Sequence, residues 1–328
     1  MGILSSSLEK PYSLLHERDL LVLSFQAFGT SCKVKFSLTD NIDLKSISHE
    51  VISWVENFEG RYSRYFPASW LSTVNKSAGI EAVSLTAEDK LVLQAGSFAF
   101  FQSKQAVDPS CLPLTSLWQK AKASKQLPHD EEVSQAKELV NWQNVQISGD
   151  EIYLPFQGMG LDFGGFGKEF AIDQVSEKLK NFNCKNFLVD FGGDIFASGF
   201  ASQGMSWKVG IENPLDVDQP AFVLNLTNMS LATSGNYRKY FDLKGNRYGH
   251  TIDNRTGYPT IHSELSASVI SPSCLKSGII STTCLMVGKQ AGLRMINSEW
   301  NVEGCIQSFD SSLLSNRFIE YIHVKNQI

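Results

Sequence analysis

Five glycines fall within eleven residues, from Gly158 to Lys168 (GMGLDFGGFGK), and the chain then runs straight into a helical pattern. In that pattern Ala171, Val175, Leu179 and Phe182 share one face. A glycine-rich loop feeding a helix N-terminus offers free N–H groups and the positive end of the helix dipole to a pyrophosphate. Two common architectures are excluded at this point. Phe163 stands where the dinucleotide fingerprint needs its third glycine, and no Gly-Lys-Ser/Thr follows to make a Walker loop. The loop therefore belongs to some other arrangement of strands and helices.

The remaining periodicities say which kind. Cys32, Val34 and Phe36 alternate with lysines, as a half-buried strand does, and Trp207/Val209/Ile211 and Phe222/Leu224/Leu226 alternate likewise. Phe187 to Ile195 is a continuous apolar run ending in a Gly192-Gly193 turn, as a buried strand does, and Ser266 to Ile270 is a further strand. Helical spacing of Ile47, Val51, Val55 and Phe58 predicts one helix, and Thr86, followed by Glu88 and Asp89, predicts the start of another reaching about Lys104. Residues 120–150 are polar and predict a solvated connection with one short helix. Strands and helices alternate irregularly, without regular βαβ units, so the fold class is α+β (mixed α/β), in a single domain. At 328 residues, with 42% hydrophobic and 19% charged, the chain can bury a sizeable core.

Several function classes fall away. A net charge of -5 argues against nucleic acid as a partner. Six scattered cysteines without a CxxC pair read as reduced, buried thiols rather than a zinc site. No run approaches the roughly 20 apolar residues of a membrane span, and the first 20 residues lack the basic and apolar regions of a secretory signal. The expected location is the cytoplasm, with residues 1–20 an N-terminal extension and 21–328 the folded domain.

The stretch from Ser230 to Pro259 concentrates the chemistry. Small polar residues, Thr233-Ser234-Gly235-Asn236, predict a turn; an aromatic and basic middle follows, and then His250 and Asp253 stand three apart. Hydroxyls, backbone amides, a histidine and a carboxylate within one hairpin suit an anionic ligand, though a plain surface hairpin has the same spacing.

This stretch resembles the signature of the ApbE flavin transferases, in which a TSG-Y turn precedes a YxHIIDPRTGYP-like segment. Here the residues are Thr233-Ser234-Gly235-Asn236-Tyr237 and Tyr248-Gly249-His250-Thr251-Ile252-Asp253-Asn254-Arg255-Thr256-Gly257-Tyr258-Pro259. The glycine-rich run matches the family's LDLGGxxKGYAVD at Leu161, Asp162, Gly164, Gly165, Lys168, Ala171 and Asp173. Phe28-Gly29-Thr30 stands for Met-Gly-Thr, and Tyr65, Ser69, Leu71 and Asn75 fit an aromatic then S-x-L-x-x-x-N pattern. Val107-Asp108-Pro109-Ser110 with Pro113-Leu114 and Leu117-Trp118 resembles FDPTxxPLxxLW.

The resemblance implies a domain of two lobes with a cleft for FAD, and transfer of FMN from FAD to a Thr or Ser hydroxyl of an acceptor protein, with magnesium as cofactor and AMP released. It assigns Phe28, Tyr65, Asn75, Val107, Asp108, Asp162, Lys168, Thr233, Ser234, Gly235 and Ile252 to the nucleotide and Gly165 and Thr282 to the metal. Tyr65 would stack on the flavin ring; His250 would be either general base or donor to developing charge.

Two positions depart from the pattern. Gly278 stands where the family has a metal-binding aspartate, four residues before Thr282, and Glu169 replaces a glycine after Lys168. Glu169 either favours the helix dipole from the first turn or takes over from the lost aspartate. Accordingly a non-catalytic FAD-binding protein and a magnesium-dependent FAD hydrolase stand beside the transferase.

Overall fold

The computed structural model describes residues 11–38, 43–202, 204–235, 240–243, 246–249, 251–260 and 264–323. Alternating apolar residues in Leu20–Ala27 and Thr30–Ser37 pair these two strands as a hairpin, joined by Phe28 and Gly29. Both turn residues have positive φ, 54° and 67°, the handedness that two-residue hairpin turns favour. Around this hairpin grows a nine-stranded sheet, every neighbouring pair antiparallel. Its order is Tyr12–Glu17, Leu20–Ala27, Thr30–Ser37, Phe187–Phe191, Asp194–Ser198, Met229–Gly235, Glu264–Ser271, Glu303–Ser308 and Ser312–Leu314.

The helices are α1 (Leu44–Tyr62), α2 (Trp70–Lys76), α3 (Ala87–Gln102), α4 (Leu112–Ser124), α5 (Asp130–Glu138), α6 (Gly167–Asn181), α7 (Cys274–Val287) and α8 (Lys289–Ser298). Strand alternation divides the burial between the two faces of the sheet. Phe187, Val189 and Phe191 join the main core with α1, α2, α3 and α6. Leu188, Ile195 and Ala197 instead pack with the two-stranded ribbon of Trp207–Asn213 and Asp216–Leu226 and with Phe318. The fold is thus α+β, as the irregular alternation predicts. Among the described residues no helix is long and apolar enough to cross a membrane. No disulfide joins any of the six cysteines, and five of them are buried.

Four sequence expectations need correction or refinement. The apolar run from Phe187 forms a buried strand, Phe187–Phe191, that ends at the expected Gly192-Gly193 turn, with φ of 66° and 94°, and the last two residues of the run begin a second strand folded back on it. A Cβ on Gly192 would lie 2.5 Å from Thr30 Oγ1, so this turn admits only glycine. Thr233 to Gly235 is not a turn but the end of a strand, paired with Ser268 to Ser266. Residues 120–150 hold the end of α4, all of α5, a short 3-10 turn and a strand, because Leu114, Trp118, Ala121 and Val133 form a small core of their own. Finally, the segment expected as an extension contributes the edge strand Tyr12–Glu17.

Candidate active site

The glycine-rich loop reaches α6 through Asp162. One carboxylate oxygen accepts the Gly164 N–H at 2.9 Å; the other accepts Thr115 Oγ1 at 3.0 Å and faces Arg64 Nε at 2.9 Å. Arg64 in turn lies 4.4 Å over the Tyr65 ring and donates to its hydroxyl at 2.8 Å. The Tyr65 side chain is 68% exposed, so a flat aromatic ring has a free face on which to stack. Asn75 acts one residue away from Asp162. Its amide nitrogen donates to the Leu161 carbonyl at 3.0 Å, and its amide oxygen accepts the Leu161 N–H at 2.6 Å. Tyr65, Asn75 and Asp162 are therefore brought together.

Val107 and Asp108 brace the loop from the other side. A Cβ on Gly165 would touch Val107 Cγ1 at 3.4 Å. The Asp108 carboxylate turns inward, accepting the Ser110 N–H at 2.7 Å, the Ser110 hydroxyl at 2.6 Å and the Trp142 N–H at 3.1 Å. Burial pushes its pKa above the usual carboxylate range, with those donors opposing. Phe28 sits apart from this group: its N–H donates to Glu59 Oε1 at 2.7 Å, and its ring packs near Phe58 and Phe191.

At the first turn of α6 a second cluster forms. Lys168 Nζ pairs with Glu169 Oε1 at 3.2 Å and with the Asp194 carboxylate. Asp194 also accepts the Thr233 N–H at 2.9 Å, and Thr233 Oγ1 meets Ser268 Oγ at 2.8 Å. Ser234 Oγ lies 2.8 Å from Thr282 Oγ1 and 2.9 Å from Ser281 Oγ. Gly235 ends the strand beside them, opposite Ser266. Burial pushes the Asp194 carboxyl up to about 7, Lys168 opposing and Glu169 adding to the rise. Burial works in the same direction on Glu169, but Lys168, together with a hydrogen bond from the Asp194 carboxyl and the backbone, outweighs it and holds that carboxyl below the usual range. Lys168 stays charged: the two carboxylates overcome the desolvation that would lower its pKa.

α6 and α7 meet at this cluster. The Asp173 carboxylate on α6 accepts the N–H groups of Cys274 at 2.7 Å and Leu275 at 3.0 Å and the Ser273 hydroxyl at 2.8 Å, capping α7. One turn along each helix, Glu169 faces Gly278: a Cβ there would lie 2.5 Å from Glu169 Cγ. Glu169 Oε2 is buried and has no N–H partner. Among the described residues no group of three or more His, Cys, Asp or Glu converges as a metal site. The donors gathered here are carboxylate and hydroxyl oxygens, which suit a hard divalent cation rather than a soft one.

The 251–260 segment closes the arrangement over α4. Trp118 Nε1 donates to the Gly257 carbonyl at 2.7 Å, Ile252 packs on the α4–α5 core, and Asn254 Nδ2 donates to the Ala106 carbonyl at 2.9 Å. Asp253 is buried and accepts from Arg255 Nε at 2.9 Å. His250, with Asn236, Tyr237, Lys244 and Gly245, lies outside the described residues. Sequence reasoning missed Arg64, Thr115 and Asp194. For Asp194 a signal existed, since it is a carboxylate directly after the glycine pair in a mostly apolar run.

The fold is shared with proteins of known structure. A flavin transferase ApbE from Vibrio cholerae superposes with a TM-score of 0.80 at 23% identity, over 95% of this chain and 100% of that one. The ApbE protein from Thermotoga maritima superposes at 0.83 and 22% identity, over 96% and 100%. This is an ApbE-like α+β fold.

The chain belongs to the ApbE family, whose model matches residues 28–306. Among its relatives are the FAD:protein FMN transferase of Haemophilus influenzae, 28% identical over 85% of this chain and 84% of that protein, and that of Vibrio cholerae, 26% identical over 89% and 86%.

Proposed function

We propose that the protein transfers FMN from FAD to a Thr or Ser hydroxyl of an acceptor protein, with magnesium, releasing AMP. The observation that carries this reading is the meeting of the glycine-rich start of α6 with the Lys168–Glu169–Asp194 cluster and the Ser234–Thr282 hydroxyl pair. In the reaction the acceptor oxygen bonds to the FMN-side phosphorus and the P–O bond to the AMP half breaks. AMP departs with the bridging oxygen, and the hydroxyl proton passes to a base. The charge on that phosphorus must be neutralised and the nucleophile held in line.

Each group has a part in this. The exposed Tyr65 ring stacks on the flavin, steadied by Arg64 and Asp162. Backbone N–H groups at the α6 N-terminus and the ammonium of Lys168 meet the pyrophosphate. His250 is the proposed proton acceptor, or the donor to developing charge. The Gly165 carbonyl and the Thr282 hydroxyl would hold a magnesium ion, which would supply charge neutralisation at the phosphate oxygens. The all-oxygen donor set and the Glu169 oxygen without an N–H partner fit such an ion.

A second reading, FAD binding without turnover, is favoured by Gly278, which leaves α7 without a carboxylate one turn before Thr282. Incubation with FAD, magnesium and an acceptor protein, read by intact mass and nucleotide chromatography, separates the readings. Acceptor carrying FMN supports the transferase. Free FMN with AMP means a hydrolase, and unchanged FAD means a binding protein.

A further inference from the structure

We infer that Glu169 on α6 supplies the divalent-cation carboxylate that α7 lacks at Gly278. The two residues form a reciprocal pair across the helix contact. The inference rests on the proposed reading of the site and extends it to a ligand that the family pattern does not assign.

Three observations carry it. The first is steric. A Cβ at Gly278 would lie 2.5 Å from Glu169 Cγ, 3.2 Å from Cδ and 3.4 Å from Cβ. The Glu169 side chain thus fills the space in which any side chain at 278 would begin, and a residue larger than glycine at 278 would require Glu169 to turn away. The second is chemical. Oε1 of Glu169 is engaged by Lys168 at 3.2 Å, while Oε2 is buried with no N–H partner. A carboxylate oxygen removed from water without such a donor is costly; in the metal-free chain a proton shared with the neighbouring Asp194 carboxyl relieves part of that cost, and a bound cation would take the place of that proton. The third is register. Asp173 caps the first turn of α7, so Glu169 and Gly278, each about one turn further on, are held opposite one another. Thr282 lies one turn beyond Gly278, with its hydroxyl on Ser234.

A helix-dipole role alone does not account for this placement. Any acid in the first turn of α6 gains the dipole from a solvated position. It needs neither burial nor a glycine on the neighbouring helix. The cation class follows from the donors: Mg²⁺, or Mn²⁺ as its spectroscopic substitute, both of which take oxygen ligands.

The test is a titration of Mg²⁺ by calorimetry, and of Mn²⁺ by electron paramagnetic resonance, into the metal-free full chain without FAD. Wild type shows one saturable site. Glu169→Gln keeps the fold and the shape of the side chain but weakens that site by about tenfold or more, the scale of a disturbed ligand shell. Gly278→Asp alone clashes and loses the site. The double variant Glu169→Gly with Gly278→Asp returns the carboxylate to α7 and restores affinity close to wild type. Circular dichroism of each metal-free variant confirms folding; should Glu169→Gln not fold, the double variant decides. Wild-type affinity in Glu169→Gln, absence of a site in wild type, or a folded double variant that binds no metal would each overturn the inference. A chain that binds Mg²⁺ in this pattern yet never turns over FAD contradicts the proposed function and leaves the inference standing.

Discussion

At the scale of single residues, charge is held where the fold can use it. The Asp89 carboxylate is buried at the start of α3, where it accepts Arg61 Nε at 2.7 Å, the Tyr62 hydroxyl at 2.7 Å and the Thr86 N–H at 2.7 Å. Burial alone would raise its pKa, but Arg61 and the other donors outweigh that and hold it below the usual range. A carboxyl depressed in the folded state adds stability that is present above its unfolded value of about 3.9 and is lost as pH falls through the folded value. Asp89→Ala should cost about 3 kcal/mol in urea melts at pH 7, since Arg61 loses its partner. The gap to wild type should shrink as the pH drops towards 3; a constant gap would mean that the charge contributes nothing. Tyr65 makes the contrasting prediction. Its side chain is exposed, so Tyr65→Ala should leave the melting curve within about 0.5 kcal/mol of wild type. It should nevertheless weaken FAD binding, read by flavin fluorescence, by roughly tenfold, the loss of one stacked aromatic pair. Unchanged affinity would remove Tyr65 from the ring site.

At the scale of elements, turns and caps decide which strands and helices meet. Gly192 lets the two central strands fold back beside the Phe28-Gly29 hairpin in the same sheet. Gly192→Ala should therefore destabilise by about 1–3 kcal/mol through its positive φ and the contact with Thr30. A chemical melt coincident with wild type would refute that strain. Much of this level was legible in the sequence. The Thr86 cap is present as a reciprocal box, Asp89 N–H to Thr86 Oγ1 at 3.2 Å and Thr86 N–H to Asp89 Oδ2 at 2.7 Å. The strands at 30–37, 207–213 and 222–226 follow their alternation. What stayed hidden depended on partners distant in the chain. Thr233 and Ser234 are small and polar, as turn residues are, and only pairing with Ser268 and Ala267 makes them a strand. Asp194 within an apolar run reads as core until Lys168 and Thr233 are seen beside it. Spacing placed Glu169 on the first turn of α6, but its direction towards Gly278 is set by the α6–α7 contact.

At the scale of the whole molecule, the sheet carries the hydroxyl strand Met229–Gly235, α6 brings the glycine loop and Lys168 to it, and α7 brings Thr282. The 251–260 segment, which follows His250, is fastened to α4 by the Trp118–Gly257 bond and to residue 106 by Asn254. A histidine flanked in this way is the proposed proton-handling group. His250→Ala should lower turnover by about 10²-fold or more with FAD affinity kept; turnover at the wild-type rate would make it structural. On the proposed reading, the residues gathered at α6, α7 and Met229–Gly235 cut FAD and give its FMN half to a protein hydroxyl. The most direct measurement follows AMP release by chromatography and acceptor mass by intact spectrometry in one reaction with FAD and magnesium. The account predicts one AMP for each FMN gained by the acceptor, with both lost on removal of the metal. AMP formed without any gain of acceptor mass, or FAD left whole, would contradict it.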